Sequence, residues 1–504
     1  MTSATSPGGP LTGDTGAVAQ PAVSPCPRIS RSGTGLRTIR LARPALGGRR
    51  RVVAAVGTLL SAGCLSVVLV RPAPVAPEPL TGGISVLPCS QREIIAVPAA
   101  VDGRYDGHTS LLRVSGGVYR GAARPAPLTP AEAACARGAR GADRRWLAAG
   151  VIPAAGTPLS PMAVRALLDL HLLVRPNGAV AAGWHSMWKY SWPRDSSWVA
   201  VALADTGHGA DSLRILEFLG RVQRPDGTWD ARYLLDGSGA VNDGRPAELD
   251  AVGWVPWAVW SWFAAQRPGS RPARAHLAAL WPMVKAAADA AVRSLAPDGL
   301  PRRSMDYWED SDEVTLGTAA PVLAGLRAAG DLAGILGSDR DARRWATAAD
   351  RLAAAIQSAF GPFGFHRRPY EQSGTDAAVA FLGPPLHVPT PAAERAVRAA
   401  ESALRIGNGG LLPGTGWPGN PTTAWTAETA FFALFYASTG HHQQAERILA
   451  WLDAHRTRPG ALPEQVDADG RPVSVAPLAW TDAVVLLALL AQDHPLPVPP
   501  VPAG

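Results

Sequence analysis

Cysteine is scarce in this chain of 504 residues, with only four present, and they lie far apart. No cysteine or histidine spacing resembles that of a zinc site, so the sequence offers no structural metal of that kind. Cys89 and Cys135 could form a disulfide in an oxidising compartment, although two free thiols would fit the sequence nearly as well.

A surplus of basic charge is also absent from most of the chain. The formal net charge is +7, and residues 1–51, which contain eight arginines and a single acid, account for all of it. Residues 52–504 therefore carry equal numbers of acidic and basic side chains. This balance lacks the basic excess that is typical of nucleic-acid-binding proteins, and no nucleic acid partner is expected.

Charge of either sign is missing from Val52–Val70, a run of 19 residues. At about 1.5 Å per helical residue, such a run spans the hydrocarbon core of a bilayer. The arginines at 49–51 precede it and, by the positive-inside rule, keep the N-terminus in the cytoplasm. We therefore expect a single-pass cell-membrane anchor, rather than a cleaved signal peptide, with the remaining chain on the extracytoplasmic side.

The rest of the chain divides by composition into segments. Short β-like runs occur at 94–97 and 111–114, and Thr129 with Glu132 forms a capping box that starts a helix. From Pro161 onward apolar residues recur at helical spacing. We predict a disordered cytoplasmic basic tail at 1–51, the transmembrane anchor at 52–70, a Pro-rich spacer at 71–89, a small N-terminal subregion at 90–158, a helical domain at 159–493 and a Pro-rich tail at 494–504.

The helical domain contains about twelve predicted helices, including a short one at 374–383. That number is compatible with six helical hairpins closed into a ring. Such a ring leaves its connecting loops at one end, where functional sites tend to be built. The predicted fold class is therefore all-α, with the small N-terminal subregion and the transmembrane helix added to the ring.

Three segments rich in polar and aromatic side chains fall in loops or at helix starts. The first, Tyr190-Ser191-Trp192-Pro193-Arg194-Asp195, ends a loop and opens a helix. Arg194 and Asp195 could hold sugar hydroxyls, because the guanidinium donates in a fork and the carboxylate accepts. The alternative is an aspartate favoured by the helix dipole and paired with the arginine. The surrounding tryptophans favour a sugar site.

The second segment, Asp306-Tyr307-Trp308-Glu309-Asp310, belongs to an acidic loop. A solvated acidic turn would explain the charges but not the two aromatic residues. A carboxyl group that lies against an indole and near other carboxylates has a raised pKa, which suits a general acid. We therefore expect Glu309 to be buried against Trp308.

The third segment, Leu462-Pro463-Glu464-Gln465, gains meaning only from the other two. Together the segments supply two carboxylic acids far apart in the sequence, an Arg-Asp pair and aromatic walls. Hydrolysis of a glycosidic bond needs an acid that protonates the leaving oxygen, a base that activates water, and flat apolar faces for the sugar. The sequence therefore predicts a carbohydrate site.

The order of these segments, with Asn242–Asp250 between the first two, resembles the glucoamylase family, glycoside hydrolase family 15, over about Pro161–Gln492. The resemblance implies an (α/α)6 barrel, or six-hairpin toroid, and an inverting reaction. It implies Glu309 as general acid and Glu464 as general base. The sugar contacts that it implies are Tyr190, Trp192, Arg194, Asp195, Asp250, Trp308 and Asp310.

Two departures from the family pattern stand out. Asp310 occupies the position where fungal members carry glutamate, and its side chain is one methylene shorter. The further sugar-binding arginine of the family has no clear match, since the stretch 416–421 shows Trp and Gly instead.

The sequence thus predicts a membrane-anchored bacterial member of this family, a monomer without metal or other cofactor. It would release α-linked glucose from the non-reducing end of an oligo- or polysaccharide. The alternatives are a trehalase or other α-glycosidase, a non-catalytic carbohydrate-binding relative, and a structural envelope protein without a sugar site. An inverting enzyme holds its two carboxyls roughly 6.5–9.5 Å apart, and we expect Glu309 to be the more buried and Glu464 to be exposed to water.

Overall fold

The computed structural model describes residues 77–90, 93–310 and 312–501. The predicted tail at 1–51, the anchor at 52–70 and the first residues of the spacer lie outside these ranges. Within them, no helix is long and apolar enough to cross a membrane.

The described residues form short β-strands and longer α-helices. The strands are β1 Gly83–Val86, β2 Ile94–Val97, β3 Gly103–Tyr105, β4 Leu112–Val114, β5 Gly117–Arg120, β6 Ala123–Ala126, β7 Tyr190–Ser191, β8 Tyr233–Leu234, β9 Ala424–Trp425, β10 Gln465–Val466 and β11 Pro472–Val473. The helices are α1 Pro130–Ala148, α2 Ser160–Leu173, α3 Pro193–Asp205, α4 Gly209–Val222, α5 Ala251–Ala264, α6 Arg271–Ser294, α7 Leu316–Ile335, α8 Asp339–Ala359, α9 Pro391–Leu404, α10 Thr426–Ser438, α11 His442–Ala454 and α12 Ala479–Asp493.

The N-terminal subregion is built from small antiparallel sheets and one helix. Strands β3 to β6 form a four-stranded sheet in sequence order, and α1 begins at the predicted capping box of Thr129 and Glu132. Cys89 and Cys135 are joined by a disulfide. Strand β1 pairs with β2 and is buried throughout, so this part of the chain differs from the spacer predicted at 71–89. The apolar residues of β1, Ile84 and Val86, belong to the main buried core.

The helical domain is a ring of inner elements surrounded by outer helices. The inner elements are α3, α5, α7, the 3₁₀ helix Ala377–Leu382, α10 and α12, each adjacent to the next, and α12 contacts α3 and closes the ring. Outer helices surround these elements: α8, α9 and α2 each lie against one inner element, and α4, α6 and α11 each lie against two. This arrangement fits the predicted (α/α)6 barrel.

One inner position differs from a regular barrel. The predicted helix at 374–383 is instead the short 3₁₀ helix Ala377–Leu382, with its N-terminus capped by the side chain of Asp376. Gly383 and two prolines follow at once. Since proline has no amide hydrogen to continue a helix, the element stops after about two turns.

Burial distinguishes the two layers of the ring. In α12 every side chain from Ala479 to Ala491 is buried, as expected of a helix that is covered on all sides. Outer helix α8 buries only one face, with Trp345 and Leu352 inside. The centre of the ring is filled by large aromatic side chains, namely Trp198, Trp254, Trp257, Phe381 and Phe431. The ring is therefore solid, and a cavity at its end has a closed floor.

Candidate active site

A cavity of about 290 Å³ lies where inner helices α3, α10 and α12 begin. Charged residues in the first turns of α3 and α10 line it, as does an indole in the first turn of α12. The charged members of the wall are Arg194, Asp195, Arg232, Arg245, Glu309, Glu428 and Glu464, and its tryptophans are Trp188, Trp192, Trp308, Trp417, Trp425 and Trp480.

Two small antiparallel sheets position much of this wall. Strand β7 pairs with β8, and Trp192 follows β7 directly. Strand β10 pairs with both β9 and β11, so Glu464, one residue before β10, lies beside Ser474, one residue after β11. These pairings join segments that are far apart in sequence, because backbone hydrogen bonds between strands hold their ends in register.

The carboxyl group of Glu464 is held by two side-chain donors. The Trp188 Nε1–H donates to Oε1 over 3.0 Å, and the Ser474 hydroxyl donates to Oε2. Burial raises the pKa of Glu464, and the two hydrogen bonds oppose that rise. Both donors favour the ionised carboxylate, as a general base requires.

The carboxyl group of Glu309 has a different environment. The Trp192 Nε1–H donates to its Oε1 over 3.1 Å, and the Arg245 guanidinium pairs with its Oε2. The Glu309 side chain is 26% exposed, whereas Glu464 as a whole is 9% exposed. The predicted order of burial was therefore wrong. Glu464 is enclosed by the small sheet, while Glu309 lies within the loop between α6 and α7 and adopts the left-handed region (φ 52°).

A buried ionic network supports the Glu309 loop. Arg367 donates to Asp306 and to Asp376, in each case over 2.8 Å, and its guanidinium lies 3.7 Å from the ring centroid of Trp308. The Tyr307 hydroxyl donates to Asp376 as well. Side-chain contacts from Arg367 and Asp376 thus hold Trp308, the residue that precedes Glu309, in place.

Arg194 is buried at the cavity wall among carboxylates. Its guanidinium donates to Glu248 and, over 3.0 Å, to Asp250, while Asp195 Oδ2 lies 4.0 Å from its Nε. Burial raises the pKa of Asp195 to about 6. Glu248 and Asp250, which do not line the cavity, neutralise the charge of Arg194. Asp195 lines the cavity and therefore remains available to bind a ligand.

Six of the predicted site residues line the cavity, namely Trp192, Arg194, Asp195, Trp308, Glu309 and Glu464. Three predicted residues do not line the cavity, namely Tyr190, Asp250 and Asp310. Contacts elsewhere explain the first two, and a turn of the chain explains the third. Tyr190 lies against the Arg232 guanidinium, 4.7 Å from its ring centroid. Asp250 accepts from Arg194 and from Trp254. Asp310 is exposed, because the chain turns at Glu309.

Sequence reasoning missed several wall residues. Trp188 precedes the first segment, Trp480 follows the third, and Arg245 lies within Asn242–Asp250, but none of the three was given a role. Glu428 and Ser474 carried no signal, since an acid in a first helical turn and a serine after a short strand are ordinary. Only the pairing of β9, β10 and β11 brings Ser474 to Glu464.

Tryptophans form one side of the cavity mouth. Trp308 meets Trp417 edge to face at 5.1 Å between centroids, and Trp417 meets Trp425 in the same way at 5.0 Å. Trp417 comes from the stretch 416–421, where the family arginine has no match. Aromatic faces thus form this side of the cavity.

Comparison with known proteins places the fold among glycosidases. No protein-family model matches the chain. It is 23% identical over 356 residues to an uncharacterized glycosyl hydrolase of Methanocaldococcus jannaschii, covering 65% of this chain and 55% of the other. The chain therefore spans about half the length of that curated relative.

Solved structures give the same result for the fold. A wild-type glycosidase superposes with a TM-score of 0.55 at 19% identity, over 66% of this chain and 96% of the other. A glycosidase variant in complex with glucose gives 0.54 at 20% identity with the same coverage. A bacterial glucoamylase complexed with acarbose gives 0.55 at 16% identity, over 74% of this chain and 63% of the other. The helical ring has the fold of these glycosidases.

Proposed function

We propose that the chain is a glycoside hydrolase that releases α-linked glucose from the non-reducing end of a carbohydrate with inversion of configuration. The observation that carries the proposal is the cavity itself. Two glutamates from distant loops, Glu309 and Glu464, line one aromatic cavity, and each accepts a hydrogen bond from a tryptophan. Acid/base hydrolysis of a glycosidic bond requires such a pair of carboxyl groups.

In the proposed reaction Glu309 gives its proton to the glycosidic oxygen as the bond to the anomeric carbon breaks. Glu464 takes a proton from the water that attacks the same carbon from the opposite face. Trp188 and Ser474 hold the Glu464 carboxylate in place and favour its charged form. At the end of the cycle Glu464 carries a proton and Glu309 has lost one, so solvent restores both.

The Arg245 contact implies a rearrangement before the proton transfer. A guanidinium beside Glu309 favours its ionised form, whereas a general acid must be protonated. The Arg245 side chain is 31% exposed at the cavity mouth. We propose that the leaving sugar displaces Arg245 from Glu309 as it binds.

The shape of the cavity supports removal of one terminal sugar. Its volume of about 290 Å³ is at the lower end of the range for small-molecule sites, roughly 300–1,000 Å³. The aromatic core of the ring closes its floor. The relatives bound to glucose and to acarbose support a carbohydrate ligand, and with it an α-glucoside substrate.

We also propose that the chain acts outside the cytoplasm, held by the apolar run at 52–70. The arginine excess before that run and the disulfide between Cys89 and Cys135 support this placement, since disulfides persist in oxidising compartments. Protease added to intact cells should digest the chain beyond residue 90. Complete protection in intact cells, with digestion after lysis, would contradict the placement.

The central test is turnover of a panel of α-glucosides, trehalose included, by the purified full chain in detergent. We expect NMR to detect β-glucose as the first anomer released. Glu309→Gln should lower the rate by at least about 100-fold while sugar binding persists. Asp310→Asn is the matched control, since this neighbouring acid lies outside the cavity.

Each alternative gives a different outcome in this test. Release of α-glucose first would indicate a retaining enzyme. Hydrolysis of trehalose alone would favour a trehalase. Sugar binding without turnover of any substrate would indicate a carbohydrate-binding relative, and neither binding nor turnover would remove the sugar site altogether.

A further inference from the structure

Glu428 is a third glutamate at the cavity, in the first turn of α10. It is 4% exposed and forms part of the cavity wall together with Glu309 and Glu464. The reaction proposed above uses two of these three carboxyl groups and leaves Glu428 without a role.

One buried carboxyl oxygen of Glu428 has no hydrogen-bond partner among the described residues. The carboxyl group of Glu428 lies near its own amide N–H in the first turn of α10, and Oε2 is the oxygen left without a partner. A buried polar group without a partner costs roughly 1–3 kcal/mol, so its persistence at the wall of a cavity points to a partner that arrives with the ligand.

The groups that face Glu428 come from four other parts of the ring. They are the carboxyls of Glu464 and Asp376, the guanidinium of Arg194 and the phenol of Tyr307. Burial raises the pKa of Glu428 to about 8, and Glu464 and Asp376 add to that rise. At neutral pH the group is therefore a carboxylic acid, with one hydroxyl donor and one carbonyl acceptor.

We propose that Glu428 determines which sugar the cavity accepts, by forming a hydrogen bond with one hydroxyl of the sugar held there. The O–H of Glu428 donates to the oxygen of that hydroxyl. Alternatively, the carbonyl oxygen of Glu428 accepts the hydrogen of the same hydroxyl. A sugar that lacks this hydroxyl leaves the buried acid unpaired and binds more weakly. The inference rests on the proposed function, since it assigns a role within the same sugar site.

The experiment measures binding of glucose and of monodeoxyglucoses, each lacking one hydroxyl, by calorimetry on the full chain. The proteins are the wild type, Glu428→Ala and Glu428→Gln. The matched control is Asp205→Asn. Asp205 also has a buried oxygen without a partner among the described residues, but it is the last residue of α3, whereas the cavity lies where that helix begins. Burial raises the pKa of Asp205 to about 7.

We expect Glu428→Ala to bind glucose about tenfold more weakly than the wild type, which is the effect of one lost hydrogen bond. One monodeoxy analogue should bind the wild type about tenfold more weakly than glucose, yet bind Glu428→Ala no more weakly than glucose does. Asp205→Asn should discriminate as the wild type does. General destabilisation of the protein would weaken the binding of every sugar alike. It would not remove the preference for a single hydroxyl.

The pH dependence separates the acid from a merely structural side chain. As the pH rises through about 8, ionisation removes the donor and places a negative charge beside Glu464, so glucose binding by the wild type should weaken. Glu428→Gln keeps an N–H donor at every pH, so its binding should stay constant over the same interval. Asp195, whose pKa is about 6, is already ionised there.

Three results would overturn the inference, and they are distinguishable. If the wild type binds glucose and Glu428→Ala matches it with every analogue, Glu428 has no role in recognition although the proposed function stands. If the wild type binds no sugar of the panel, the proposed function fails and this role fails with it. A loss of turnover with unchanged binding in Glu428→Gln would also contradict a role in binding.

Discussion

The residues of the cavity are tuned by opposing physical effects, and Glu464 is the clearest case. Burial in the small sheet raises its pKa, while the hydroxyl of Ser474 and the indole of Trp188 donate to the charged form and lower it. A general base must be ionised to accept a proton. The two donors therefore determine the lowest pH at which the proposed reaction proceeds.

We predict that Ser474→Ala moves the acid limb of the kcat/KM profile to higher pH. Removal of a donor to the carboxylate takes away an effect that lowers the pKa of Glu464, so the pKa rises further and the base is protonated sooner as the pH falls. The expected displacement is roughly 0.5–1 pH unit, since one hydrogen bond contributes about 0.5–1.5 kcal/mol. Ser197→Ala, which removes a hydroxyl bonded to the Pro193 carbonyl within α3, is the control. An acid limb at the wild-type pH in Ser474→Ala would contradict the assignment of the base.

Arg194→Lys tests the first sequence segment. A lysine carries the same charge, but its single ammonium cannot hold Glu248 and Asp250 and also face the cavity as the guanidinium does. We predict a higher KM together with a lower kcat, amounting to about 10–100-fold in kcat/KM. Arg224→Lys, at an exposed surface pair, should leave both constants unchanged. Unchanged kinetics in Arg194→Lys would leave the arginine with a structural role only.

At the scale of elements, the site depends on loops that are braced by segments distant in sequence. The Glu309 loop is held through Arg367, which bridges Asp306 and Asp376. Gly414 permits the close approach of the next segment, because a Cβ there would meet the Trp308 ring at 2.4 Å. The position of the proposed acid is therefore a property of three segments together.

We predict that Arg367→Gln destabilises the protein by about 3–5 kcal/mol, because it leaves two buried carboxylates without their cation. The free energy of unfolding is measured by denaturant titration. Arg398→Gln is the control: Arg398 is exposed and its ion pair with Glu394 is loose, at 3.6 Å, so the change should stay within about 0.5 kcal/mol. A similarly small change in Arg367→Gln would show that the network does not brace the loop.

At the scale of the whole molecule, the packing of outer helix α2 on inner helix α12 buries two carboxyl groups. Asp169 and Asp482 are both fully buried, and Arg165 pairs with Asp169 over 2.9 Å. Burial raises the pKa of Asp169 to about 6 and that of Asp482 well above its usual range, where the charge of Asp169 adds to the rise. The packing of the two helices thus requires that Asp482 stay protonated at neutral pH.

The sign of the resulting pH dependence follows from these raised pKa values. The stability that the pair contributes is fully present below about pH 4, near the pKa of an unfolded aspartate. It is lost as the pH rises through about 6 for Asp169 and through higher values for Asp482. We predict that Asp482→Asn raises the free energy of unfolding by about 1–3 kcal/mol near neutral pH and has little effect near pH 4. Thermal unfolding across this interval tests it, and a variant that is no more stable than the wild type near neutral pH would contradict it.

The sequence predicted most of the helical ring and part of the site. Helical periodicity located the long helices, because a buried face recurs every three to four residues whatever the helix packs against. It failed at Ala377–Leu382, where Gly383 and two prolines end the element early. It also failed at Gly83–Val86, since a four-residue strand shows its identity only when β2 pairs with it.

The same division applies to the site. The sequence by itself determined the chemical types at the site, namely two glutamates, an Arg-Asp pair and tryptophans at helix starts, because motif order and residue type are written along the chain. Only the tertiary structure decided which of these residues reach the cavity and in what state. The left-handed turn at Glu309 exposes Asp310, and the β9–β10–β11 sheet buries Glu464 next to Ser474. Burial and proximity depend on contacts between distant segments, and those contacts also made Glu428, rather than a residue of any motif, the unpaired acid of the cavity.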